Sequence, residues 1–77
     1  MRFYQYLDYD YKYYALVCAN SVEEANDIFE AGMGFANYEP FEINPKLAID
    51  RMKALGVNIE VNNIKPSLMD YGVYKRK

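Results

Sequence analysis

The residues of this sequence best suited to chemistry or recognition are its tyrosines, which number nine among 77 residues. Histidine is absent and Cys18 is the one cysteine, so the chain lacks the commonest general base and the ligands of a histidine–cysteine zinc site. It also has no glycine-rich phosphate loop, catalytic triad or HExxH motif. These residue types predict a binding protein rather than an enzyme, without a cofactor or a metal.

The remaining reactive groups have simpler interpretations. Glu39 and Glu42 stand three residues apart without a histidine or third acid beside them, which predicts solvated side chains rather than a metal site. Cys18 lies inside an apolar run, which predicts a small buried hydrophobic residue rather than a reactive thiol.

The tyrosines concentrate in residues 3–19, and this stretch predicts a β-hairpin. Aromatic residues favour strands, and the short acidic side chains at its centre favour a turn. The predicted strands cover residues 2–7 and 12–19, with Tyr4 and Tyr6 on one face of the first. The second strand is apolar on both faces, so something must cover its second face: another layer, a second subunit or a target.

A first helix is predicted directly after the hairpin. Ser21 and Glu24 have the spacing of a capping box, in which the serine hydroxyl accepts from the Glu24 amide and the carboxylate accepts from the serine amide. The helix therefore begins at Val22, and Gly32 is predicted to end it in a left-handed conformation.

A second helix is predicted over residues 45–55. Asn44 is a favoured N-cap and Pro45 a favoured first residue. Gly56 is predicted to stop the helix, with Val57 completing a Schellman motif. The segment 33–43 between the helices has no clear period and is predicted to be an ordered loop.

Two further strands are predicted near the C-terminus. Residues 57–62 alternate apolar and polar side chains, which is typical of a strand with one face on the core. Residues 68–74 form either a fourth strand or, if Ser67 acts as a cap, a single helical turn.

The order β-β-α-α-β-β predicts a single α+β domain over residues 1–77. It would be a small two-layer domain with a mainly antiparallel sheet and two helices on one face. The other face of the sheet would then be bare and rich in tyrosine.

That bare face predicts a role in protein binding, because tyrosine is enriched at interfaces. Residue usage typical of low-GC bacterial or phage genomes extends this to a phage-encoded inhibitor of a host defence system. Nucleic acid is disfavoured because Asp8 and Asp10 interleave the rings. The predicted partner-binding residues are Tyr4, Tyr6, Tyr9, Tyr11, Tyr13, Tyr14, Phe35, Tyr38 and Phe41.

The alternative function is a homo-oligomer that binds a nucleotide-like small molecule. Bases would stack on tyrosine rings, and phosphate would be held by Arg2, Lys12 or the helix N-terminus at Ser21.

Charge, hydropathy and the cysteine count predict the cellular compartment in which the chain acts. The formal net charge of −2 is too balanced to indicate a polyanionic partner. No apolar run is long enough for a signal peptide or a membrane span. The single cysteine fits a reducing cytoplasm.

Apolar residues on both faces of the second strand predict a homodimer that buries one of those faces.

Overall fold

The computed structural model describes residues 1–7, 13–34, 40–57 and 64–70. Two helices and a four-stranded antiparallel sheet form an α+β fold, which confirms the predicted class. The sheet order is β3-β1-β2-β4. The elements in chain order are β1 (Arg2–Leu7), β2 (Tyr13–Ala19), α1 (Val22–Met33), β3 (Phe41–Ile43), α2 (Pro45–Ala54) and β4 (Ser67–Asp70).

The predicted hairpin forms the centre of the sheet. Tyr4 lies opposite Val17 and Tyr6 opposite Ala15 in the β1–β2 ladder, whose register shifts between Tyr6 and Leu7. Because β3 pairs with the outer side of β1 and β4 with the outer side of β2, both hairpin strands are central strands. The apolar residues on both faces of β2 in addition require a covering layer on each face of the sheet.

The strand β3 was not predicted, and it changes the order of elements. Phe41 lies opposite Gln5 and Ile43 opposite Phe3, so the chain returns to the sheet between the two helices. The described order is therefore β-β-α-β-α-β rather than β-β-α-α-β-β. The strand predicted over residues 57–62 lies outside the described residues except for Val57, which is not in a strand. The structure shows Ser67–Asp70 as a strand, not a helical turn, and residues 71–74 of the predicted strand lie outside the described residues.

The two helices cover opposite faces of the sheet. Ala25 and Phe29 of α1 pack with Tyr4, Tyr6 and alternate residues of β2. On the opposite face, Ala48 and Met52 of α2 pack with Phe3 and the intervening residues of β2. The expectation of two layers with both helices on one face was therefore wrong: each face has its own helix and its own apolar cluster.

The start of α1 confirms the predicted cap but changes one partner. The Ser21 hydroxyl accepts from the Glu24 amide at 3.2 Å. The Glu24 carboxylate, however, accepts from the amide of Asn20 at 2.8 Å rather than from that of Ser21. At the other end, α1 continues through Gly32, and Gly34 adopts the left-handed conformation with φ 85°. Gly32 was therefore wrongly predicted as the C-cap.

The caps of α2 follow the prediction closely. The Asn44 side chain accepts from the Lys46 amide at 2.8 Å. After Ala54, Gly56 has φ 84°, and its amide donates to the Lys53 carbonyl while that of Val57 donates to the Met52 carbonyl. These two bonds constitute a Schellman motif. The helix is one residue shorter than predicted because Leu55 is its C-cap.

Candidate interaction surface

Tyr6 belongs to the core on the α1 face, not to a bare surface. Its side chain is fully buried, and its ring stacks on Phe29 with centroids 4.1 Å apart and planes 18° apart. Its hydroxyl donates to the Asn26 side-chain oxygen at 2.8 Å. The ring and the hydroxyl thus both attach β1 to α1.

Tyr4 is buried beside Tyr6, with 3% of its surface exposed. Its hydroxyl makes no hydrogen bond with the described residues. Arg2 lies on the same face of β1 as Tyr4 by strand alternation. Glu42 lies opposite Tyr4 across the β1–β3 ladder. The interaction with the Tyr4 hydroxyl, followed by the charge of Glu42, raises the pKa of the Arg2 guanidinium, although Arg2 does not reach hydrogen-bond geometry with that hydroxyl. Neither Tyr4 nor Tyr6 forms the exposed aromatic face that the sequence predicts.

The faces predicted to form a dimer are also covered. Ala15 and Val17 lie under α1, and Leu16 lies on the face covered by α2, all without solvent exposure. The apolar character of both β2 faces, which predicted a second subunit, is thus explained by a helix on each side.

The other predicted partner-binding residues divide into three groups. Phe41 lies on β3 and is exposed. Tyr13 and Tyr14 are the first two residues of β2. Outside the described residues lie Tyr9, Tyr11, Phe35 and Tyr38.

Phe41 of β3 and Leu47 of α2 are exposed apolar side chains, with 53% and 60% of their surfaces accessible. Phe41 lies opposite Gln5, and the Gln5 side-chain oxygen accepts a hydrogen bond from the Arg51 guanidinium of α2. Leu47 precedes Arg51 by four residues and therefore lies on the same side of the helix. We call these four residues, Gln5, Phe41, Leu47 and Arg51, the β3 patch.

Leu47 was missed as a candidate residue, although the sequence contained a signal for it. The helical spacing of Ala48, Ile49, Met52 and Leu55 predicts these four residues as the buried stripe of the second helix. Leu47 is a large apolar residue outside that stripe, and such a residue on a helix otherwise polar on its outer side indicates a contact beyond the helix.

The groups proposed for a nucleotide-like ligand are placed less favourably. Arg2 pairs with Ala19, two residues before Ser21, so Arg2 and the N-terminus of α1 lie at the same end of the sheet. The Ser21 hydroxyl is already used by the helix cap, however, and Glu23 and Glu24 bring negative charge to that first turn. An anionic ligand is disfavoured there. Lys12 lies outside the described residues.

The remaining chemistry-bearing group, Cys18, is fully buried. Its thiol donates to the Lys65 carbonyl at 3.0 Å, which links β2 to the segment before β4. In the described parts of the chain, no three acidic, cysteine or histidine side chains cluster as metal ligands would. Neither of the helices that the structure describes has the length and hydropathy to cross a membrane.

Comparison of the chain with protein-family models, with curated proteins and with solved structures found no match.

Proposed function

We propose that this chain is a non-enzymatic protein-binding module that contacts its partner through the β3 patch. The observation that supports this most directly is the exposure of Phe41 and Leu47, because most other large apolar residues of the described chain are buried or half-buried. Tyr4 and Tyr6 of the hairpin belong to the core of the module, and β3 with α2 presents the contact surface.

The composition of the β3 patch suits an interface. Aromatic residues and arginine are enriched at the centres of protein interfaces. Phe41 supplies an aromatic ring, and Arg51 is held by Gln5 beside it. A partner that covers Phe41 and Leu47 would remove about half of each side chain from water, which is favourable at roughly 25 cal/mol per Å² of apolar surface.

Residue usage and the single cysteine support a more specific proposal for the partner and for the origin of the chain. The partner would be a host protein in a reducing cytoplasm, and the chain a phage-encoded inhibitor of a defence system. A homodimer is not needed for this role, because helices α1 and α2 already cover both faces of β2.

Photo-crosslinking tests the proposal at single positions. A benzophenone amino acid replaces Leu47 in one protein and Val22, an exposed apolar residue at the start of α1, in a control protein. Both are irradiated in lysate of the organism that encodes the chain, and adducts are identified by mass spectrometry. We expect a partner adduct at position 47 that is absent at position 22 and is lost on Phe41→Ser. Equal adducts at both positions, or none at 47, contradict the proposal.

A further inference from the structure

We infer that the partner of the β3 patch adds an extended strand to β3, along the edge that pairs with no described residue, with a lysine or arginine opposite Glu42 and apolar residues on either side. This inference rests on the proposed function and specifies the class of partner. It depends on three features of β3: its position in the sheet, its alternation and its charge.

The position of β3 leaves one row of backbone groups available. Among the described residues, β3 pairs with β1 alone and forms an edge of the sheet. A strand paired on one side retains N–H and C=O groups pointing away from its neighbour, and an extended peptide can bond to them. Phe41 and Glu42 are both exposed at this edge.

The alternation of β3 determines which side chains an added strand needs. Phe41 and Ile43 lie opposite Gln5 and Phe3, so both point to the face covered by α2, the helix that carries Leu47. Glu42 points to the other face. Side chains directly opposite on paired strands have Cβ atoms about 4.5–5.5 Å apart, so apolar residues fit beside Phe41 and Ile43.

The charge of Glu42 determines the central residue. Its carboxylate is exposed, and the neighbouring cation, Arg2, belongs to β1 on the inner side of β3. The outer side of Glu42 is therefore complementary to a basic residue, and it disfavours an acidic one.

The same charge argues against a second copy of this chain as the occupant. Twofold pairing of β3 with itself would place Glu42 opposite its own copy, and like charges directly opposite are destabilising. Because β3 has three residues, shifting the register to separate the two carboxylates loses part of the pairing.

Amide chemical shifts of the ¹⁵N-labelled protein test this inference with synthetic peptides. The probe is acetyl-Thr-Val-Lys-Val-Thr-amide. One comparison peptide has Glu in place of Lys, and another has N-methyl groups on the three central residues. We expect the lysine peptide to shift the amides of Phe41 to Ile43, about fivefold more tightly than the glutamate peptide. The N-methylated peptide cannot pair as a strand and should leave those amides unchanged.

A charge exchange provides the matched control. Glu42→Lys should reverse the preference between the lysine and glutamate peptides. Glu23→Lys makes the same change in net charge at an exposed residue of α1 and should preserve the original preference.

Each other outcome is decisive. Absence of shifts in β3 with all peptides overturns the inference, as does equal binding of the N-methylated peptide, which would leave side-chain docking on the β3 patch intact. Shifts of the β3 amides on dilution of the protein alone would identify a second copy as the occupant and also overturn it. Strand-specific binding of the lysine peptide, with no crosslink at position 47, would support the inference while contradicting the proposed function.

Discussion

The side chain of Leu68 occupies the space next to Gly32. A Cβ atom placed on Gly32 would lie 2.6 Å from Leu68 Cδ2, closer than non-bonded carbon atoms approach. Gly32 lies in α1 and Leu68 in β4, so the absence of a side chain at residue 32 determines how closely the helix approaches this edge of the sheet.

This contact predicts the effect of Gly32→Ala. Helix propensity alone would stabilise the protein by about 0.5–1 kcal/mol, but the methyl group must move Leu68 away from its rotamer at a cost of about 0.5–1.5 kcal/mol. We expect Gly32→Ala to raise the free energy of unfolding in a Leu68→Ala background and to give no gain with Leu68 present. Urea unfolding of the four proteins measures the coupling. An identical effect in both backgrounds would contradict the contact.

The hydroxyls of Tyr4 and Tyr6 predict opposite effects of the same atomic change. Tyr6→Phe removes the hydrogen bond to Asn26 and should lower the free energy of unfolding by about 1 kcal/mol. Tyr4→Phe removes a buried hydroxyl that has no hydrogen bond with the described residues, and should leave stability unchanged or raise it by up to about 1 kcal/mol. Thermal and urea unfolding of the two variants test this. The prediction fails if Tyr4→Phe is as destabilising as Tyr6→Phe.

Stability should also fall at alkaline pH because of Tyr6. Burial, followed by the charge of Tyr4, raises the pKa of the Tyr6 hydroxyl above its ordinary value of 10.0. The unfolded chain then loses this proton at lower pH than the folded chain, so ionisation favours unfolding. Above about pH 10 this one group should reduce the free energy of unfolding by up to about 1.4 kcal/mol per pH unit.

The matched measurement compares the wild type with Tyr6→Phe in urea from about pH 9 to pH 11. The two proteins differ only at residue 6, so the difference between the two slopes isolates Tyr6. Parallel slopes would show that Tyr6 ionises as readily in the folded chain as in the unfolded one.

The burial of Cys18 predicts slow thiol labelling. Its side chain is fully buried and its thiol donates to the Lys65 carbonyl, so a reagent such as dithionitrobenzoate should react when the protein unfolds. We expect the labelling rate to decrease by at least about 100-fold between denatured and native protein, and to increase in destabilised variants such as Tyr6→Phe. Rapid labelling without denaturant would contradict the burial of Cys18 in β2.

Local signals were sufficient to predict the starts of both helices. Ser21 and Asn44 cap through amides two or three residues away, so the sequence contains both partners of each bond. The end of α1 was different, since Gly32 and Gly34 both permit a left-handed conformation. The chain continues to Gly34 while Gly32 meets Leu68, a residue 36 positions away, and such a contact is invisible to a local pattern.

The layers were mispredicted because β3 was missed. Three residues after Pro40 are too short to show a strand period, yet their pairing with β1 leads the chain to the edge of the sheet, from which α2 covers the opposite face. Tyrosine was ambiguous for a separate reason: its ring fits a core as well as an interface, and the contact between Tyr6 and Phe29 decides for the core. Phe41, by contrast, retains an exposed side chain.

Residues 15–19 of β2 are five consecutive positions without solvent exposure. In most chains of this size a strand alternates between constrained and free positions, so half of its residues can drift during evolution. Here neither face is free. Relatives of this chain would therefore share an unbroken window of small and apolar residues in β2, at a constant distance from the serine cap that follows, while the outer sides of α1 and α2 diverge. The slowest-changing segment among such relatives would then be a strand enclosed between the two helices.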